Sequence, residues 1–211
     1  MGDLTANCPK PLLKIAGKNL LEHKLDILPP QIDEVILIIG YLGEQIKKYF
    51  GDNYHGRKIN YVEQKELNGS GGAFWLLKDL IKEKCLVLMG DDLYSAEDIS
   101  QCIKEDWAIL LYKTEEPIYA AKVELNWAGQ LVSITEAAEK HLGNLLNTGL
   151  YVLQPEIFNY PLVEIKKGEY GLPQTLALAA KDFPVQVHFA KFWLKINEPP
   201  DLLIAENHFK K

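Results

Sequence analysis

Glu34-Val35-Ile36-Leu37-Ile38-Ile39, closed by Gly40, is a β-branched apolar run of strand length. Such a run reads as a strand buried on both faces. Outward from it, Gly43 to Tyr49 has the pattern of a short surface helix ending at Gly51. Lys58-Ile-Asn-Tyr-Val-Glu63 alternates and reads as a second strand. Ser70 then opens a helix with apolar residues at Ala73, Phe74, Leu77, Leu80 and Ile81. Cys85-Leu-Val-Leu-Met89 reads as a third buried strand, ending at Gly90-Asp91-Asp92. Strand, helix, strand, helix, strand implies parallel pairing with helices on the faces.

Beyond residue 105 the pattern changes. Ala108–Tyr112, Tyr119–Leu125, Leu131–Thr135 and Gly149–Leu153 read as strands joined by short loops. Leu172–Lys181 reads as a helix, Val185–Ala190 as a strand and Pro200–His208 as a closing helix. The expected fold is α/β with a mixed second half, in one domain over residues 1–211.

The 211 residues are enough to bury a substantial core without disulfides or a structural metal. Charged residues make up 25% and hydrophobic residues 47%, which excludes a disordered chain. A net charge of −6 argues against a nucleic-acid partner. Three scattered cysteines without a CxxC pair point away from zinc and towards a reducing cytoplasm. No apolar run reaches the length of a membrane span, so no membrane partner is expected.

In open α/β sheets, ligands bind beyond the carboxyl ends of the strands. Three stretches fall there. Gln64 precedes Asn68-Gly-Ser-Gly-Gly72, a loop that could approach a ligand closely, or serve as a plain turn with Ser70 as N-cap. Gly90-Asp91-Asp92 could hold Mg²⁺ on a carboxylate, or form an acidic turn. Lys10 stands between Pro9 and Pro11, stiff enough to suit a phosphate contact, or simply solvated.

Together these stretches resemble the sugar-1-phosphate nucleotidyltransferase family. Pro9 to His23 is similar to that family's second signature, and Tyr61–Gln64 with Gly69–Ala73 to its base-reading segment. Leu86 to Tyr94 resembles its metal-bearing strand end, Asn147 to Val152 its sugar-side strand, and Trp193 to Asn207 its closing stretch. The resemblance implies a Rossmann-like, GT-A type mixed sheet flanked by helices, in a domain that joins a nucleoside triphosphate to a sugar 1-phosphate and releases pyrophosphate. It also implies Mg²⁺ as cofactor. By the family pattern Lys10 and Asp91 would be catalytic, with Asp91 the metal ligand. Gln64 and Gly69 would read the base, and Glu136, Asn147 and Thr148 would lie near the sugar.

The chain also departs from that pattern. The family's opening strand and Gly-rich phosphate loop are not found ahead of Met1-Gly-Asp-Leu-Thr5, so the domain is expected to lack its first strand. Its exposed sheet edges would favour a homo-oligomer. Lys195 stands where a second metal-binding Asp is expected, with Glu198 nearby as a substitute ligand. Ala137 replaces a sugar-phosphate lysine, and Ala121 a glycine. These replacements keep open a rival reading, a regulatory or nucleotide-sugar-binding relative. An α/β glycosyltransferase would need a D-x-D motif, which Asp91-Asp92-Leu93 does not supply. Asp92 is expected to cap or hydrogen-bond, and His23 to pack.

Overall fold

A computed structural model describes residues 1–135 and 141–210. In chain order the main elements begin with α1 (Leu20–Asp26), β1 (Glu34–Ile39), α2 (Gly43–Phe50) and β2 (Arg57–Glu63). α3 (Gly69–Trp75), β3 (Cys85–Val87), β4 (Asp92–Tyr94), β5 (Ala108–Ala120), β6 (Lys122–Leu125) and β7 (Leu131–Thr135) follow. The chain continues through β8 (His141–Leu153), β9 (Val163–Lys166), β10 (Glu169–Gly171) and α4 (Leu172–Ala179). It closes with β11 (Gln186–Phe189), β12 (Trp193–Lys195) and α5 (Pro199–Phe209). Mixed sheets flanked by helices make this the α/β fold expected. The chain forms two compact units.

The first unit contains Met1–Lys65, Gly90–Ile99 and Phe192–Lys211. Here β1 and β2 pair in parallel, from Glu34 opposite Lys58 to Ile39 opposite Glu63, as the apolar patterning implied. α2 ends at Gly51, whose φ of 60° is the left-handed turn that glycine adopts freely. α1 opens on a capping box: Asn19 Oδ1 accepts from Glu22 N–H at 2.8 Å, and Glu22 returns the contact to Asn19 N–H at 2.7 Å. β4 pairs antiparallel with β12, setting Asp92 opposite Lys195. Ile15, Leu20, Leu93, Ile196 and Ala205 form a buried core cluster, flanked by Leu194 and Phe209. His23 packs, as expected: its Nε2 lies 2.8 Å from Ile15 O and its ring 4.2 Å from that of Phe209.

The second unit contains Glu66–Met89 and Ser100–Lys191. Its four-stranded sheet runs β11-β5-β8-β3. β11 pairs with β5 in parallel, whereas β8 pairs with both β5 and β3 antiparallel. The third strand of the opening alternation thus has an antiparallel partner here, because β8 carries its own buried run, Leu150 to Leu153. β5 and β8 are each 13 residues long, so segments read separately in the sequence are continuous strands. Ile109 to Leu111, Leu172 and Leu176 complete this core.

One helix differs from its expected bounds. α3 begins at Gly69 and stops at Trp75, and residues 76–80 continue as tight turns. Ser70 does not cap it; its Oγ accepts instead from Leu172 N–H, at 3.2 Å, at the start of α4. Two glycines inside α3, Gly71 and Gly72, weaken helix propensity enough to shorten it. Among the described residues no helix is long and apolar enough to cross a membrane.

Candidate active site

The first unit gathers charged residues around the Gly90-Asp91-Asp92 turn. Lys10 sits in a short 3₁₀ turn, Lys10–Leu12, that its flanking prolines favour. Its Nζ lies 2.8 Å from Asp91 Oδ2, and both side chains are partly exposed. The sequence-predicted phosphate lysine and metal carboxylate are therefore brought together. The Asp91 carbonyl accepts from Ile196 N–H at 3.1 Å, which ties the turn to the residue after β12.

Asp92 is buried, as a residue in a hydrogen-bonding role should be. Its Oδ2 accepts from Trp193 Nε1–H at 2.9 Å, so Trp193 does more than pack. Its Oδ1 is buried with no hydrogen-bond partner among the described residues. Burial, reinforced by the adjacent Asp91 charge, pushes the Asp92 carboxyl up to about 6. The Lys195 ammonium, across the strand pair, and Lys24 pull the other way.

Lys24 is a further charged residue at this turn, one that sequence reasoning missed. It lies on α1, buried with Leu20, Leu21 and Leu25. Its Nζ donates to Gly90 O at 2.6 Å and to Asp92 O at 3.3 Å. Burial pulls its ammonium down to about 8, against the attraction of Asp91 and Asp92. The signal was available: a lysine four residues after Leu20 falls on the apolar face of an amphipathic helix.

Two oxygen donors, the Asp91 carboxylate and the orphaned Asp92 Oδ1, suit a hard cation. Mg²⁺ commonly takes one or two carboxylates and completes its shell with water and substrate phosphates. No cluster of three or more His, Cys, Asp or Glu suited to a metal occurs among the described residues. Two carboxylate donors would leave the rest of a Mg²⁺ shell to water and substrate phosphates. Glu198 is the N-cap of α5, where Asp201 Oδ2 accepts its N–H at 2.8 Å. Gln64 follows β2 in this unit, its N–H donated to Ile39 O at 2.8 Å.

The remaining predicted residues lie in the second unit. Gly69 has φ +88°, and a Cβ there would fall 2.4 Å from the Tyr170 carbonyl oxygen. Close backbone packing therefore accounts for that glycine. Asn147 Nδ2 donates to the Tyr151 hydroxyl at 2.7 Å, and its Oδ1 accepts from Gly149 N–H at 3.1 Å. Thr148 is buried and its hydroxyl donates to Leu110 O at 2.8 Å. Glu136 and Ala137 lie outside the described residues.

Comparison with known proteins matches the whole chain, residues 1–211, to the family described as Nucleotidyl transferase. The chain belongs to this nucleotidyl transferase family. Its similarity to the bifunctional protein GlmU of Methanococcus maripaludis is 31% identity over 211 residues, covering 98% of this chain and 50% of the relative. This family member thus spans about half the length of the GlmU relatives it matches. It is 28% identical to the UTP–glucose-1-phosphate uridylyltransferase AglF of Haloferax volcanii, over 83% of this chain and 76% of the relative. It is 34% identical to the D-glycero-alpha-D-manno-heptose 1-phosphate guanylyltransferase of Campylobacter jejuni, over 72% of this chain and 69% of the relative. The crystal structure of HddC from Yersinia pseudotuberculosis shares the fold, with a TM-score of 0.69 at 22% identity, over 95% of this chain and 90% of that one.

Proposed function

We propose that this nucleotidyl transferase chain joins a nucleoside triphosphate to a sugar 1-phosphate, giving a nucleotide-sugar and pyrophosphate. The observation that carries the reading is the Lys10–Asp91 pair at 2.8 Å, followed in sequence by Asp92, whose buried Oδ1 has no hydrogen-bond partner among the described residues. The named activities of the uridylyl- and guanylyltransferase relatives supply the substrate class.

The chemistry asks little of the protein beyond alignment and charge. A sugar phosphate is already an ionised nucleophile, so no general base is needed. Lys10 would hold triphosphate oxygens as a point charge, releasing Asp91 as it does so. Asp91, with Asp92 Oδ1 beside it, would hold Mg²⁺. That ion, when bound, would offset the negative charge on the phosphates. Gln64 and Gly69 would read the base, with Glu136, Asn147 and Thr148 near the sugar. One specific observation favours the rival, a regulatory or nucleotide-sugar-binding relative: an ammonium, Lys195, stands across the strand pair from Asp92. A protonated lysine cannot ligate a cation.

The test is pyrophosphate release with pooled nucleoside triphosphates, Mg²⁺ and a panel of sugar 1-phosphates. Release that depends on one sugar phosphate is expected. No release, with nucleotide binding retained in calorimetry, would overturn the transferase reading in favour of the rival.

A further inference from the structure

The Gly90–Asp92 segment is held from two sides. The Asp91 carbonyl takes the Ile196 N–H, and the carbonyls before and after it, Gly90 and Asp92, take the Lys24 ammonium. Ladder pairing begins only at Asp92, so among the described residues the Ile196 N–H and the Lys24 ammonium are what hold the backbone of Gly90 and Asp91. Gly90 does not fix the turn either. Its φ is not in the left-handed region, and a side chain there would meet open space.

A buried ammonium is costly unless it is hydrogen-bonded and charge-compensated. Lys24 is 3% exposed, on a helix face otherwise filled by leucines. A leucine or methionine there would pack without that cost. The helix below it is fixed by the Asn19–Glu22 capping box, so its ammonium is presented from a rigid base.

We propose that Lys24 is a positioning residue for Asp91: its ammonium clamps the two carbonyls that bracket Asp91 and so sets where the Asp91 carboxylate points. The role in turnover rests on the transferase reading above. The clamp itself does not. Lys24 is buried and its ammonium donates to the Gly90 and Asp92 carbonyls. It acts on the reaction through Asp91, whose placement is decisive because small misplacements of a charge-bearing group are expensive in rate.

The experiment compares wild type with Lys24→Met, which removes both hydrogen bonds, and Lys24→Gln, which keeps N–H donors without the charge. The primary readout is amide hydrogen exchange of the peptide Gly90–Tyr94, with the β1–β2 segment as internal reference. In Lys24→Met, exchange at Gly90–Tyr94 is expected to rise at least tenfold while the reference stays within twofold. Lys24→Gln is expected to fall between. In pyrophosphate release, kcat should drop at least tenfold with KM for the triphosphate within threefold. Unchanged exchange at the turn, or equal acceleration across the whole unit in both variants, would overturn the proposal and leave Lys24 as packing. If Lys24→Met does not fold, Lys24→Gln carries the same two measurements. A wild type that releases no pyrophosphate would sink the transferase reading, yet the exchange result would still decide whether Lys24 holds the turn.

Discussion

The turn at Gly90–Asp92 in the first unit and the bend at Asn147–Gly149, a register break within β8 of the second, both carry polar side chains, yet they differ in where their hydrogen bonds go. At the bend, the bonds close on the protein. Asn147 is held by Tyr151 and Gly149, and Thr148 by the Leu110 carbonyl. At the turn they do not close. Asp91 and Asp92 are adjacent carboxylates, one paired to a partly exposed lysine, the other with a buried oxygen that has no partner among the described residues. Natural interiors rarely tolerate such an atom. A polar residue type is therefore a weak pointer to a site, and an unclosed set of charges is a stronger one.

The sharpest way to break this comparison is Asp91→Asn, which keeps the shape and removes the charge. Turnover is expected to fall about a thousandfold, or about 4 kcal/mol of barrier, with the circular dichroism spectrum unchanged. Wild-type turnover would remove Asp91 from the reaction and leave the turn as unexplained strain. Next in size is Gly69→Ala in the second unit. It forces an L side chain into a left-handed backbone and sets a Cβ 2.4 Å from Tyr170 O. A stability loss of about 3–4 kcal/mol is expected in urea titration, adding backbone strain to overpacking.

Asp92 supplies a test by pH. Its carboxyl titrates at about 6 in the folded protein against 3.8 normally. Between those values the folded protein keeps a proton that the unfolded chain has lost. Its contribution to stability therefore falls as pH rises through that window, by about 2–3 kcal/mol. Asp92→Asn removes this term. Relative to wild type, the variant should gain stability as pH is raised from about 4 to about 7. A flat difference between the two proteins would mean that Asp92 is not strained by its burial.

Much of the first unit was legible because its signals are local. The β-branched run at Glu34–Ile39, the alternation at Lys58–Glu63 and the stop at Gly51 each depend on neighbours in sequence. Lys10 and Asp91, 81 residues apart, were legible as candidates through the family resemblance, since the flanking prolines and the acidic turn alone left a solvated lysine and a plain turn open. For Lys24 only the burial was legible, from its place on the apolar face of α1; the carbonyls it binds are 66 and 68 residues away and only the fold brings them to it. The extent of β5 and β8 was hidden for a similar reason. Their length is set by their mutual pairing, which single-strand periodicity does not contain. Ser70 misled in the same way: its acceptor role is real, but the N–H it serves is Leu172, 102 residues on.

The smallest effect tests the quieter half of the comparison. Thr148→Val keeps the β-branched shape and deletes only the hydroxyl, which donates to Leu110 O and accepts from Leu150 N–H at 3.4 Å. A buried carbonyl that loses its donor costs free energy even when packing is preserved. The expected loss is about 1–2 kcal/mol in urea titration, read with the slope unchanged so that the denatured state is not the cause. A loss of that size means the hydroxyl is committed to the bend, so any contact of this segment with a sugar phosphate must come from Asn147 or from backbone. A loss near zero means the hydroxyl is not bound to the fold, and the bend would then join the turn as a place where hydrogen bonds await a ligand.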